Sequence, residues 1–178
     1  GPFRSQFGYA PSPTIYESAV LVAFDSPASG KLIAVDRASG DVVWSADRTP
    51  FGSYSSPALA KIAGKDQVVM TGANLMVSYD PKTGAELWRV AGGSGTTCGT
   101  PAFDGERVYV SGGFPENETW AVSADGSGTV VWSTKDRVYE PSLLSTKGLL
   151  FAVTDDGIAI CWDGPSGEER WKTRLEGN

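Results

Sequence analysis

Trp44, Trp88 and Trp132 stand 44 residues apart, and Trp171 follows 39 residues later. No other feature of the 178 residues constrains the fold as tightly, because self-similarity at such a period marks one supersecondary unit copied along the chain. The copies read AVDRASGDVVW (34–44), SYDPKTGAELW (78–88), SADGSGTVVW (123–132) and CWDGPSGEERW (161–171). A proline lies 31 residues before each of the first three tryptophans, at Pro13, Pro57 and Pro101; the fourth unit has EPS at 140–142, one residue out of phase. Periods near 44 fall in the range of propeller blades.

Within a unit the order of segments is constant. A short piece beside the proline comes first, then an apolar run such as AVLVAFD or RVYVSG, then a run ending in Asp such as KLIAVD or IAICWD. A Gly-containing turn leads to a fourth run ending in Trp. The runs are short, rich in Val, Ile, Leu and aromatics, and bounded by Gly, Asp, Ser and Pro, which is strand chemistry; no stretch holds a helical period. The middle runs are apolar at nearly every position, as in strands covered on both faces. Each fourth run turns polar after its Trp, as suits an exposed edge that must resist pairing with other chains. Four strands per unit predict four blades, at about 9–48, 53–92, 97–136 and 138–176, in one segment spanning 1–178.

The Asp, Gly and Trp of each unit have separate tasks. Asp36, Asp80, Asp125 and Asp163 are expected to open a tight turn, where a short carboxylate accepts backbone N–H groups just ahead. Gly40, Gly84, Gly128 and Gly167 supply the positive φ at its far end. Trp44, Trp88, Trp132 and Trp171 then bury against the next blade, which no unit can cover alone. Aligned this way, the third copy is one residue short between Asp125 and Gly128, so its turn must differ.

Composition removes several functions. Net charge is −6 with no basic run, which disfavours nucleic acid, whose affinity rests on Lys and Arg meeting phosphates, and anionic membrane surfaces likewise. No run approaches the roughly 18 apolar residues of a transmembrane helix, and the N-terminal GPFRSQFGYAPSP lacks the apolar core of a secretion signal. There is no His, which removes Ser-His-Asp and Cys-His catalysis and the commonest transition-metal ligand. Cys98 and Cys161 are 63 residues apart, too far for a CxxC metal site; a disulfide between them stays open, and two unpaired, buried thiols are the favoured reading. GGSGTT (92–97) reads as a flexible inter-blade loop rather than an anion nest, since no helix and no GK[ST] follow. TDDG (154–157) reads as a hairpin tip rather than a Ca2+ site, and Trp120 and Trp162 as packing residues.

The pattern A-x-D-x-x-T-G-x-x-x-W resembles the tryptophan-docking motif of PQQ-like, or quinoprotein-type, β-propellers. Ala34, Asp36, Gly40 and Trp44 carry it with Ser39 in the Thr place; Asp80, Thr83, Gly84 and Trp88 carry it with Ser78 for Ala; Asp163, Ser166, Gly167 and Trp171 carry it with Cys161 for Ala. The resemblance spans the whole chain and implies an all-β propeller of four four-stranded blades, part of a larger ring of about eight. Three arrangements stay open: an excerpt of a longer propeller, a four-plus-four pair of copies, or a ring of four. For the chain by itself, wet apolar end faces favour a head-to-tail homodimer closing an eight-bladed ring.

The hub of such a ring is where loops of several blades converge. GSYSSP (52–57), TTCGTP (96–101) and RVYEPS (137–142) lead into first strands and deliver Tyr54, Ser55, Thr97, Cys98, Tyr139 and Glu140 to the channel rim. Their bland alternative is satisfaction of inner-strand backbone. Quinoprotein dehydrogenases of the family hold PQQ with Ca2+, a catalytic carboxylate and often a vicinal Cys-Cys pair; this chain has no Cys-Cys, and only Glu140 is a plausible channel carboxylate. The resemblance therefore implies a non-enzymatic binding or scaffold module, without catalytic residues, cofactor or metal, for a protein or peptide partner, in a bacterial periplasmic or exported setting. The alternative is a fragment of a PQQ-dependent dehydrogenase.

Overall fold

Runs of two to eight residues between Gly, Asp and Asn turns leave no length for a helix among the described residues, which fold into antiparallel hairpins. The structure, a computed structural model, describes residues 7–176. The first sheet holds β1 (Thr14–Tyr16), β2 (Ala19–Ser26), β3 (Ser29–Asp36) and β4 (Val42–Arg48). The second holds β5 (Ala58–Ile62), β6 (Lys65–Gly72), β7 (Leu75–Tyr79) and β8 (Glu86–Ala91). The third holds β9 (Ala102–Phe103), β10 (Arg107–Gly112), β11 (Glu118–Ser123) and β12 (Val130–Thr134). The fourth holds β13 (Leu144–Thr146), β14 (Leu149–Val153), β15 (Ile158–Asp163) and β16 (Glu169–Arg174). Strands adjacent in sequence are adjacent in each sheet, so one repeat makes one four-stranded meander.

The third-to-fourth-strand hairpins are built by the Asp turns. The Asp36 carboxylate accepts the amides of Ala38 and Ser39, and that of Asp80 accepts those of Lys82 and Thr83. Gly40, Gly84 and Gly167 close these turns at φ of 80°, 72° and 73°. Cross-strand partners Ala34↔Trp44, Ser78↔Trp88 and Cys161↔Trp171 set the register in three sheets. In the third sheet the same place is taken by Ala121↔Trp132, with Val122↔Val130 beside it. The strand therefore ends at Ser123, whose amide bonds the Thr129 carbonyl as that of Asp36 bonds Asp41. The expected alignment through Asp125 is thus corrected: this hairpin is one residue longer than the others, not shorter, and Asp125 sits inside the loop, accepting from Ser127.

The apolar core lies between sheets rather than within them. Leu21, Ala23, Leu32 and Ala34 of the first sheet pack on Val68, Met70, Val77 and Tyr79 of the second. Met76, Trp88 and Val90 pack on Val108, Val110 and Val122, and Tyr109 and Ala121 pack on Leu150, Ile160 and Trp162. Full burial of each Leu, Val or Met contributes roughly 1.5–3 kcal/mol, and a single sheet cannot supply it. The last six residues of β6 are accordingly buried without alternation, whereas β2 buries one face.

Two tryptophans bridge these junctions directly. The Trp44 indole lies where a Cβ on Gly84 would be, and its Nε1–H donates to the Pro81 carbonyl at 3.2 Å. Trp132 lies on Gly167 in the same way and donates to the Gly164 carbonyl at 2.7 Å. Trp88 departs from this: it is buried, but donates within its own sheet to Gln67 Oε1 at 2.8 Å. The expectation that every repeat tryptophan buries against a following blade is corrected at Trp171. It is 46% exposed and rests on Phe151 of its own sheet, because no sheet follows β16 among the described residues. A buried ion pair adds to the first junction: Arg48 Nε and Nη2 each donate to Asp25 at 2.9 Å, and Nη1 reaches the Tyr79 hydroxyl at 3.3 Å.

Candidate functional site

Each blade ends far from where the next begins, so loops 49–57, 92–101 and 135–143 must travel back across the stack to reach the next first strand. Their hydroxyls recur at the repeat interval and bond one loop to the next. Thr96 Oγ1 donates to the Gly52 carbonyl (3.1 Å), Ser55 Oγ to the Gly99 carbonyl (3.1 Å), and the Tyr54 amide to the Thr97 carbonyl (2.9 Å). Ser53 Oγ, Thr71 Oγ1 and Thr97 Oγ1 lie 2.9–3.2 Å apart in a buried chain. Ser55 and Thr97 are therefore inside this seam, 1% and 3% exposed; the Ser55 hydroxyl satisfies a backbone carbonyl that would otherwise be orphaned, and the Thr97 hydroxyl bonds those of Ser53 and Thr71. GGSGTT is likewise tied down rather than flexible: the Ser94 and Gly95 carbonyls accept from Asn74 and Ala73, and the Thr96 amide donates to Phe114.

The other four residues come together in the open. Tyr54, Cys98, Tyr139 and Glu140 line a cleft of about 510 Å3 with Phe7, Ala10 and Ser142. Phe7, Tyr54 and Tyr139 also wall a second cleft of about 530 Å3 with Pro50, Phe51 and Phe114. The Phe7 and Tyr54 rings meet edge to face at 6.0 Å. Phe51 and Phe114 are 38% and 61% exposed, a density of wet aromatic surface that soluble proteins keep for contacts. Both sit on loops outside the strand runs; Phe51 directly precedes GSYSSP, whereas Phe114 lies 13 residues beyond TTCGTP and carries no signal in the sequence.

The third loop is held by the TDDG hairpin. Gly157 donates to the Thr154 carbonyl at 2.9 Å to close the turn. Asp155 Oδ1 accepts the amides of Tyr139 (3.3 Å) and Glu140 (3.1 Å), and Oδ2 pairs with Arg137 Nε at 3.1 Å. Arg137 in turn lies 5.9 Å from the Tyr139 ring. Among the described residues the Glu140 carboxylate enters no ion pair, so it is the charge this rim offers outward.

Cys98 and Tyr139 are both shifted towards their neutral forms. Burial pushes the Cys98 thiol above its ordinary range, and the Tyr139 hydrogen bond only partly offsets that, so the thiol stays protonated at neutral pH. Burial and the neighbouring Cys98 push Tyr139 up to about 12. Both cysteines are free, with Cys161 buried but Cys98 half-buried rather than enclosed, since its loop faces the cleft. No group of three or more His, Cys, Asp or Glu that could hold a metal ion occurs among the described residues.

Four consecutive meanders stacked face to face, with hydroxyl-bearing loops converging at one hub, define a β-propeller of PQQ-like repeats. Within that class the chain belongs to the family described as outer membrane protein assembly factor BamB, whose profile matches residues 28–148. It is 30% identical over 133 residues to the outer membrane protein assembly factor BamB of Burkholderia pseudomallei (strain K96243), covering 74% of this chain and 33% of that protein. Among solved structures it superposes on BamB from Moraxella catarrhalis with a TM-score of 0.71 at 18% identity, covering 91% of this chain and 50% of that one. A europium-containing methanol dehydrogenase gives the same TM-score at 14% identity, covering 94% and 42%. At these identities the structures show the fold alone. The chain spans about a third of the curated relative and half or less of these solved ones.

Proposed function

We propose that the chain is a non-enzymatic binding module whose hub rim holds a polypeptide segment of a protein partner. The observation that carries this reading is the aromatic double cleft around Tyr54 and Tyr139, with the outward carboxylate of Glu140 at its margin. Aromatic walls supply area at low entropic cost, and one unpaired carboxylate on a chain of net charge −6 favours a segment that is apolar with a basic residue. Ser55 and Thr97 support the rim from within. The Asp-Gly-Trp repeats act as the family's docking motif and keep the loops in register. The relatives named outer membrane assembly factors support a protein partner and a periplasmic or exported bacterial location; neither a cofactor nor a metal belongs to this reading.

The test is selection of short random peptides displayed on phage against the immobilised chain. Enrichment of apolar, basic sequences whose binding falls at least tenfold with Phe114→Asp and with Glu140→Lys supports the rim. Enriched peptides indifferent to both substitutions, or no enrichment, count against it. The fold likeness to a methanol dehydrogenase favours a second reading, a dehydrogenase fragment. A rise in melting temperature on adding PQQ with Ca2+ decides for that reading, and an unchanged melting temperature decides against it.

A further inference from the structure

The backbone of the rim limits the form of any segment lying on it. A peptide added as a strand takes its affinity from a row of open amides and carbonyls. That row is interrupted in each of the three rim loops. The Tyr54 amide goes to the Thr97 carbonyl, the Thr96 amide to Phe114, and the Thr100 amide to Ser142 Oγ at 3.1 Å. In the third loop Asp155 takes the amides of Tyr139 and Glu140. A helix fits no better. Phe7, Tyr54 and Tyr139 line both clefts, and the Phe7 and Tyr54 rings meet there edge to face, so aromatic rings form a ridge between the two. The clefts hold about 530 and 510 Å3, each roughly one turn of a helix about 10–12 Å across.

Polyproline II needs neither a ladder nor an unbroken groove. It has three residues per turn and rises about 3.1 Å per residue, so positions i and i+3 share one face roughly 9 Å apart. Its backbone makes no internal hydrogen bonds, which leaves its carbonyls open to donors. The chemistry on both sides of the ridge suits such a segment. Pro50, Phe51 and Phe114 give the first cleft apolar and aromatic walls for a proline ring. Ser56 and Ser142 line the second cleft. Their hydroxyls accept the amides of Ser12 at 2.9 Å and Thr100 at 3.1 Å, and a hydroxyl that accepts keeps its own proton to donate. Glu140 borders the same cleft. Apart from Phe7 and Ala10, these walls belong to loops that join strands within the chain.

We propose that the rim binds a proline-rich segment in polyproline II form, with one proline in each cleft and a Lys or Arg against Glu140. This rests on the rim reading given above and narrows its partner to one chemical class. The segment approaches as a preformed extended helix, so little ordering entropy opposes its binding. The Tyr54 ridge separates two prolines three residues apart, and the serine hydroxyls take the carbonyl groups between them.

The experiment is fluorescence anisotropy with three short labelled peptides. The first carries an Arg followed by two Pro-Leu-Pro repeats; the second has every proline replaced by Ala; the third has the Arg replaced by Glu. The first peptide is expected to bind, and the second and third at least tenfold more weakly. Phe51→Ala and Phe114→Ala, both at exposed rings, each weaken the first peptide at least fivefold with unchanged far-UV circular dichroism. Glu140→Lys reverses the order of the first and third peptides. If the Ala peptide binds as tightly as the proline peptide and both are lost in the Phe variants, the polyproline II inference is overturned while the rim reading stands. No binding of the first peptide up to millimolar concentration, or binding indifferent to all three substitutions, also overturns the inference. The rim reading itself falls only if the phage selection yields no rim-dependent peptide either.

Discussion

Replacing Arg48 by Met leaves the Asp25 carboxylate buried without its partner, and the structure sets the size of the effect. The two side chains are 5% and 4% exposed, and the guanidinium meets the carboxylate through paired bonds of 2.9 Å. It also reaches the Tyr79 hydroxyl and the Thr71 carbonyl of the next sheet, so the pair is enclosed by the first blade junction. Removing one member of such a pair costs about 3–5 kcal/mol, most of it the cost of a desolvated, unmatched charge. For a chain of this size that lowers the melting temperature by roughly 6–20 °C. Removing both charges, with Asp25→Leu and Arg48→Met together, restores most of the loss, since an apolar pair of similar volume is close to neutral at a buried site. Urea unfolding of wild type, both single variants and the double variant completes the cycle. A single Arg48→Met variant within about 1 kcal/mol of wild type, or a double variant as weak as the sum of the singles, refutes a dry junction between the first two sheets.

Two further outcomes are expected. Gly84→Ala forces a Cβ into the Trp44 ring at φ 72° and costs about 2–4 kcal/mol, whereas Gly64→Ala, at φ 77° in open space, costs about 1 kcal/mol; equal losses by thermal unfolding contradict the docking of Trp44 on Gly84. The Arg170 guanidinium, with the Ser166 hydroxyl and amide, holds the Asp163 carboxyl at about 2 rather than 3.8. The folded chain thus keeps the charge to lower pH than the unfolded chain, so stabilisation is complete above about pH 4 and is lost as pH falls towards 2. Asp163→Asn flattens the melting-temperature profile in that window and converges with wild type near pH 2; parallel profiles contradict the assignment.

The repeat architecture was legible because each tryptophan is preceded by the same sequence of apolar runs and turn residues, and those local choices agree with the fold. Register in the third hairpin was not. DGSG at 125–128 offers an Asp and a Gly in nearly the motif spacing, but pairing of Ala121 with Trp132 decides which residue ends the strand, and pairing is a cross-strand property. The rim was half legible for a similar reason. Whether Ser55 and Thr97 point into the seam or the cleft depends on the Gly99 carbonyl and the Ser53 hydroxyl one repeat away, while Tyr54, Cys98, Tyr139 and Glu140 share a cleft only once three loops converge. The pairing of Asp25 with Arg48 across an intervening strand left no sequence signal at all.

Hydrogen exchange at the Trp132 indole Nε1–H, followed by NMR, probes the bond from one blade to the Gly164 carbonyl of the next. Protection comparable to the backbone amides of β14 and β15 is the expected result. Exchange at the rate of a free indole, in a chain whose strand amides remain protected, contradicts the claim that tryptophans join consecutive sheets.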